Sequence, residues 1–471
     1  MKLYTEESDA IRAYLQAPSI DTPTVVVYPE FIVKLGMPKC AVLNVGLYGT
    51  VMAALGYEKF SDSIFRKNNW SKLDVGRGLY IIIDSPGVVG AMCLRHSDNY
   101  TWASSSRDRL VSEVEKIGKD IKMTPLKPLG AFLGMEIQRV NAIDGGSADL
   151  NGDVMLARQT EYITAMGLKH QHLHIKYNPK EKTRKIAAPC DPERELTPEE
   201  IEPLNEAEAK EYMGITGDIV WITGRTRPSI RYESRELSCR NMSPRWIDMY
   251  RAVWLMDYLM YTKEMPLALG GNISDPHAIA DCSLGTGEEH RSIIGGYGAL
   301  AEMSGAIVTF VTVLKCAITP IMEGEVFAAV AAADLTIYLD NLCAETAVVI
   351  PPTRRVYCDN KSGIDWIHGA VAMKGTKHYA RKLYRGRHLQ DAQIIDVIYI
   401  KTKDNGADKL TKKTFGRDHQ YKTGLIQGHG LVQGMLIPGV VNTTPPVVVP
   451  RQKEQQQQSS AAASAKMEEE H

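Results

Sequence analysis

A chain of 471 residues, 44% hydrophobic and 24% charged, has the composition of a soluble globular protein with room for two or three domains. Its formal net charge of −1 conceals an asymmetry: residues 351–450 carry 16 Lys and Arg against 7 Asp and Glu, while residues 1–350 carry 36 against 45. No apolar run approaches the roughly 18 residues of a membrane span and MKLYTEESDAIRAYL lacks a signal-peptide core, so no membrane partner is expected and the location reads as intracellular, compartment unresolved.

The first stretch, to about residue 265, mixes strand and helix patterns. TPTVVVYPEFIVKL and RGLYIIIDS read as strands. The HQHLH run from His170 to His174 has no acid or Cys to complete a metal site and reads as a surface loop. CDPERELTPEEIEPLNEAEAKEY is an acidic, solvated linker entering a helix. SPRWIDMYRAVWLMDYLMYTKE repeats apolar residues at helical spacing, which predicts one long amphipathic helix.

From about 270 to 425 the pattern is strand, strand, strand, helix, strand, helix, strand, helix. AIADCSLGTGEEH ends an apolar run on Asp281. A buried carboxylate is costly unless satisfied, so such an Asp either closes a turn or holds a cation. GGYG at 295–298 lacks the strand–helix context of a phosphate cradle and is expected to bend a hairpin. TPIMEGEVFAAVAAADLTIYLDNL is an amphipathic helix with Glu323 near its start. PPTRRVYCDNKSGIDW is a strand ending on Asp359, and MKGTKHYARKLYRGRH has the spacing of a basic helix face. VIYIKTKDNGADKLTKK is a strand, a Gly-containing turn and a helix opening with Asp408. Beyond about 436 the Pro-, Gln- and Ala-rich tail predicts disorder. The eight cysteines form no CxxC pair, which indicates neither a zinc site nor a disulfide framework.

Asp281, Glu323, Asp359 and Asp408 all fall at strand ends or helix beginnings, where one edge of a sheet gathers side chains. Four converging carboxylates raise one another's pKa unless cations neutralise them. A pair of Mg²⁺ ions is the economical answer, since hard oxygen ligands suit them and two ions clamp both oxygens of a phosphodiester in cleavage. The basic C-terminal third fits either a polyanion-binding face or a solvated charged surface.

Taken in order, AIADCSLG, IMEGEV, VYCDNKSGI, GTKHYA and IKTKDNGADKLTK resemble the ribonuclease H domain of copia-type retrotransposon Pol polyproteins. The resemblance implies a mixed five-stranded sheet with flanking helices that cleaves RNA in an RNA–DNA hybrid. It makes Asp281, Glu323, Asp359 and Asp408 the ligands of two Mg²⁺ or Mn²⁺ ions. Lys377 and His378 match a basic motif of that family, and with Arg381 and Lys382 they form either a contact to substrate phosphates or a solvated helix.

The first stretch resembles the same family. SDAIRAYLQAP is similar to its palm motif, which makes Asp9 the first polymerase acid. GLYGTVMAALGYEKF, AFLGMEIQRV and Thr226-Arg227-Pro228 in YMGITGDIVWITGRTRPSI are similar to later segments up to the ribonuclease junction. The family's polymerase site needs a paired Asp-Asp in a strand–turn–strand hairpin. LYIIIDSPGVVG is read as that hairpin, with Asp84 kept and Ser85 in its partner's place. A hydroxyl is a poor substitute for an acidic ligand. The fingers region is expected to be absent, so no polymerase is expected.

The fold class that follows is α+β or α/β. Residues 1–265 read as a truncated reverse-transcriptase palm and connection, 266–430 as a ribonuclease H-like domain, and 431–471 as a disordered tail. One functional reading is a metal-dependent ribonuclease on a polymerase scaffold. The alternative is a non-catalytic relic, or a recruited protein that binds RNA or protein partners in a larger assembly. A transposase or integrase wants a Glu roughly 35 residues after the second Asp, and none occurs between Glu345 and Glu454.

Overall fold

The structure is a computed structural model that describes residues 4–18, 24–76, 78–85, 88–141, 153–177, 188–190, 198–271, 275–285, 291–318, 320–346, 348, 350–369 and 380–432. The expected disordered tail therefore lies outside the described residues except at its first two positions.

Strand β1 (Tyr4–Asp9), the short helix α1 (Ala13–Gln16), β2 (Thr24–Val27), α2 (Glu30–Lys34) and β3 (Cys40–Leu43) open the fold. TPTVVVYPEFIVKL is thus a strand followed by a helix, divided at Pro29, which has no N–H for a ladder. Helix α3 (Val51–Lys67) leads to β4 (Ser71–Lys72), and β5 (Leu79–Ser85), β6 (Val88–His96) and β7 (Asn99–Ser104) form a meander ahead of α4 (Arg107–Gly118). With β8 (Lys127–Pro128) they build an antiparallel six-stranded sheet, order β4-β5-β6-β7-β1-β8. Its core is aromatic: Phe65 stacks on Tyr80, Tyr100 and Trp102.

A second antiparallel sheet has the order β12-β11-β10-β9, from β9 (Ala131–Phe132), β10 (Met135–Asn141), β11 (Asp153–Arg158) and β12 (Leu267–Gly270). A helical layer lies between β11 and β12 in the chain: α5 (Thr160–Lys169), α6 (His174–Tyr177), α7 (Glu206–Thr223), α8 (Arg231–Ser238) and α9 (Trp246–Tyr261). A capping box starts α7, with Asn205 accepting from the Glu208 N–H and Glu208 from the Asn205 N–H. Helix α9 buries residues on nearly every face rather than one stripe, because α5, α7 and α8 close around it. The HQHLH run is no acid-free surface loop. His170 is buried with Nδ1 3.1 Å from Glu211, His172 lies 2.9 Å from the same carboxylate, and His174 lies 3.1 Å from Asp257. The acids come from α7 and α9, which local sequence could not reveal.

The third sheet is mixed. Strands β13 (His277–Ser283), β14 (Ile293–Ala299) and β15 (Val308–Val313) are antiparallel neighbours, while β16 (Arg354–Cys358) and β17 (Ile395–Tyr399) run parallel to β13. The order β15-β14-β13-β16-β17 is the expected five-stranded mixed sheet. Helices α10 (Ile321–Glu345), α11 (Lys361–Ile367), α12 (Ala380–Asp391) and α13 (Gly416–Gln427) flank it. Both α11 and α12 lie between β16 and β17, one helix more than the periodicity suggested.

By length and composition α10 could cross a membrane, with mean hydropathy of 1.5 over an 18-residue window. It exceeds the expectation of no such run. Half of that window is buried, and Val326, Ala329, Ala332 and Ala333 pack into the sheet's core beside Ala278, Ala280 and Val356. IIGGYGA is likewise no hairpin bend but the whole of β14. A Cβ on Gly295 would come within 2.8 Å of the Leu410 carbonyl, so the missing side chain lets the turn after β17 cross the sheet.

Candidate functional site

Strand register places the first two acids. Ile279 on β13 pairs with Tyr357 on the parallel β16, and two residues further along come Asp281 and Asp359. Side chains two apart share a face, so both acids project from the same face at the carboxyl ends of adjacent strands. Asn360 then caps α11 by accepting from the Gly363 N–H at 2.9 Å, which turns the chain away and leaves Asp359 half-exposed.

Helix α10 supplies the third acid, and it is Glu325. The ligand atoms of Glu325, Cys358 and Asp359 lie within 4.8 Å of one another. Cys358 Sγ faces Glu325 Oε2 at 3.7 Å, and the Cys282 N–H also donates to that carboxylate. Glu323 was the expected residue. It is fully buried in the first turn of α10, and residues two apart on a helix point about 200° apart, so it does not share Glu325's direction. The helix comes this close because Gly324 has no Cβ; one would lie 2.3 Å from Cys282 Sγ.

Asp408 arrives on a 3-10 turn, Gly406–Leu410, rather than at the opening of a helix; α13 starts only at Gly416. Asn405 caps the turn by accepting from the Ala407 N–H, and its amide reaches the Ala280 carbonyl at 3.1 Å. Thr411 on the next residue but two donates to Asp281. Asp408 forms ion pairs with Lys412, 2.6 Å from Oδ1, and with the buried Lys422.

Burial and mutual repulsion perturb these carboxyls. Burial first, then Asp408, pushes Asp281 up to about 8. Burial first, then Asp281 and Asp359, pushes Glu325 up to about 9. Buried carboxylates that repel one another are stabilised by a hard divalent cation. Glu325 and Asp359, with ligand atoms within 4.8 Å, are close enough to share one, and Asp281 lies near enough to repel both. Asp408 completes the acid cluster, but lysines already face it.

The residues read as a basic interface are divided. Lys377 and His378 lie outside the described residues. Arg381 and Lys382 lie exposed on α12, whose Arg385 pairs with Asp334 and whose Arg387 donates to the Trp366 carbonyl at 2.7 Å.

The polymerase-type residues need correction. Asp9 ends β1 and pairs in register with Asn99 on β7, and the Ala10 N–H donates to the Asp98 carbonyl. Asp84 is not on an adjacent strand, because β6 and β7 lie between β5 and β1. It sits by Gly90, 3.1 Å from Arg109, and Gly90 is six residues from His96 along β6, roughly 20 Å at the rise of a strand. The hairpin that meets Asp9 is β6–β7, whose turn reads His96-Ser97-Asp98-Asn99, with Ser97 at φ 56°. Asp98 followed by Asn99, not Asp84 followed by Ser85, therefore stands where paired acids are needed. The signal available in the sequence was the Asp-Asn before the alternating strand NYTWAS.

No family model matches this chain. The retrovirus-related Pol polyprotein from transposon TNT 1-94 of Nicotiana tabacum is 23% identical over 373 residues, 79% of this chain and 27% of that protein. The chain thus spans about a quarter of the length of this curated relative. Among solved structures, ribonuclease H1 from Halobacterium salinarum NRC-1 is 16% identical with a TM-score of 0.23, covering 29% of this chain and 95% of that one. The foamy viral protease-reverse transcriptase in complex with an RNA/DNA hybrid is 10% identical with a TM-score of 0.41, covering 85% of this chain and 44% of that one. Over 79% of its length the chain is thus similar to a retrotransposon Pol polyprotein, the kind of protein its ordered motifs resemble.

Proposed function

We propose that this chain is the reverse transcriptase–ribonuclease H portion of a retrotransposon Pol protein, and that it hydrolyses the RNA strand of RNA–DNA hybrids with a divalent cation. The observation that carries this reading is the approach of Glu325 to Asp359 at one end of the mixed sheet, with Asp281 and Asp408 in electrostatic reach. Asp281, Glu325 and Asp359 would hold Mg²⁺ or Mn²⁺, which when bound polarises a phosphodiester and lowers the pKa of water. Thr411 and Asn405 orient Asp281, and Cys358 and the Cys282 N–H hold Glu325. Arg381 and Lys382 offer the substrate backbone positive charge on an exposed helix face. The six-stranded sheet acts as scaffold, since Asn99 supplies a neutral amide where a second acid is required.

A second reading, a nucleic-acid-binding relic without catalysis, is favoured by the lysine pairs on Asp408. One assay separates the two. Wild type should cut the RNA strand of a labelled hybrid only with Mg²⁺ or Mn²⁺, Asp359→Asn should not, and neither should extend a primer. Equal inertness of both proteins, with hybrid binding retained, would establish the relic.

A further inference from the structure

The related family's two-ion arrangement does not fit Asp408 as this chain holds it. We infer that the acid cluster takes one divalent cation, with Lys412 and Lys422 supplying the positive charge where a second ion would sit. The inference deepens the proposed function and rests on it.

Both oxygens of Asp408 face ammonium groups: Lys412 Nζ lies 2.6 Å from Oδ1, and Lys422 Nζ pairs with Oδ2. The two lysines are held differently. Lys412, four residues beyond Asp408, has a side chain 42% exposed, whereas that of Lys422 is 5% exposed and bridges to Asp418 at 3.0 Å. Lys422 rides on α13, which Gln427 ties to the carbonyls of Thr226 and Pro266 at 2.9 and 3.0 Å. Moving it aside would break a buried ion pair and disturb that helix. A second dication at Asp408 would have to approach the buried Lys422 at close range, where little water screens the repulsion, with Lys412 beside it. Lys412 reaches Asp281 and Asp359 electrostatically but without a direct pair. Among the described residues no Lys or Arg forms an ion pair with Asp281, Glu325 or Asp359. Their satisfied contacts are a hydroxyl, an amide, a thiol and a backbone N–H, all of which leave carboxylate oxygens that can still face a cation.

The test is calorimetric titration of the full chain with Mn²⁺, counting the ions lost on Asp359→Asn. One ion per chain is the expected result for wild type. Two ions would overturn the inference while leaving the proposed function standing, and no ion would overturn both. The double variant Lys412→Ala, Lys422→Met should bind a second ion if its circular dichroism remains that of wild type. A folded double variant still limited to one ion would show that the lysines are not the cause and would overturn the inference. If it does not fold, the wild-type count decides alone.

Discussion

Glu323 and Glu325 stand two residues apart on α10, and only one of them faces the other acids. The motif IMEGEV contains both, and its sequence offers no phase: whichever Glu looks toward β13 depends on where the helix begins and how Gly324 lets it settle on Cys282. Asp281, Asp359 and Asp408 were legible because strand ends and turns announce themselves in apolar runs. The hairpin was not. LYIIIDS carries an apolar stretch straight into Asp84, whereas Arg95, His96 and Ser97 separate one from Asp98, and only the pairing of β1 with β7 shows which hairpin meets Asp9. Glu325→Gln should weaken Mn²⁺ affinity at least tenfold, about 1.4 kcal/mol or more, whereas Glu323→Gln should leave it within about twofold. Mn²⁺ electron paramagnetic resonance titrations of both variants read this directly; the reverse order would restore Glu323 to the site.

Helix α13 shows how one element depends on another distant in sequence. Its His419 accepts or donates among Lys409, Thr414 and Tyr258, and Lys409 Nζ, fully buried, donates to Glu233 of α8 at 3.3 Å. Nothing in ADKLTK or in SIRYESRELS foretold that pair, since its partners are 176 residues apart. Lys409→Met should cost about 3–5 kcal/mol by leaving Glu233 buried without a partner, and adding Glu233→Leu should recover most of it. Urea unfolding of the single and double variants measures both; a single variant as stable as wild type would show the pair to be dispensable.

Buried histidines make the same region sensitive to acid. Burial, then Lys409 and Arg227, holds His419 down at about 2, and burial holds His429 down at about 4. Both stay neutral in the folded chain while the unfolded chain takes up their protons near the ordinary value of about 6.5. Their contribution is therefore present above about pH 6.5 and is lost as pH falls, by at most about 1.4 kcal/mol per unit for each. His419→Gln should flatten the slope of urea stability between pH 7 and 5; an unchanged slope would place the acid sensitivity elsewhere.

At the scale of the whole molecule, the stretches read separately from sequence are tied by several contacts. Strand β12 pairs with β11, Leu431 packs with Val154 and Ala268, and Glu345 on α10 accepts from the Val75 N–H at 3.1 Å. Gln427 joins α13 to the Thr226 and Pro266 carbonyls. Between residues 270 and 425 periodicity and turn residues announced most strands and helices, because those signals are local. These junctions are made by residues with no local mark. A fragment of residues 266–432 expressed alone should accordingly unfold at lower urea than the same stretch within the full chain, followed by the fluorescence of Trp366; equal midpoints would show the two parts to be independent.

Asp281, Glu325 and Asp359 are proposed to hold one divalent cation together. Anomalous diffraction from a crystal of the full chain soaked in Mn²⁺ tests it most directly. A single strong peak is expected about 2.2 Å from oxygens of all three carboxylates, with no comparable peak at Asp408. A peak bound by Glu323, or no peak among these acids at saturating Mn²⁺, would contradict it.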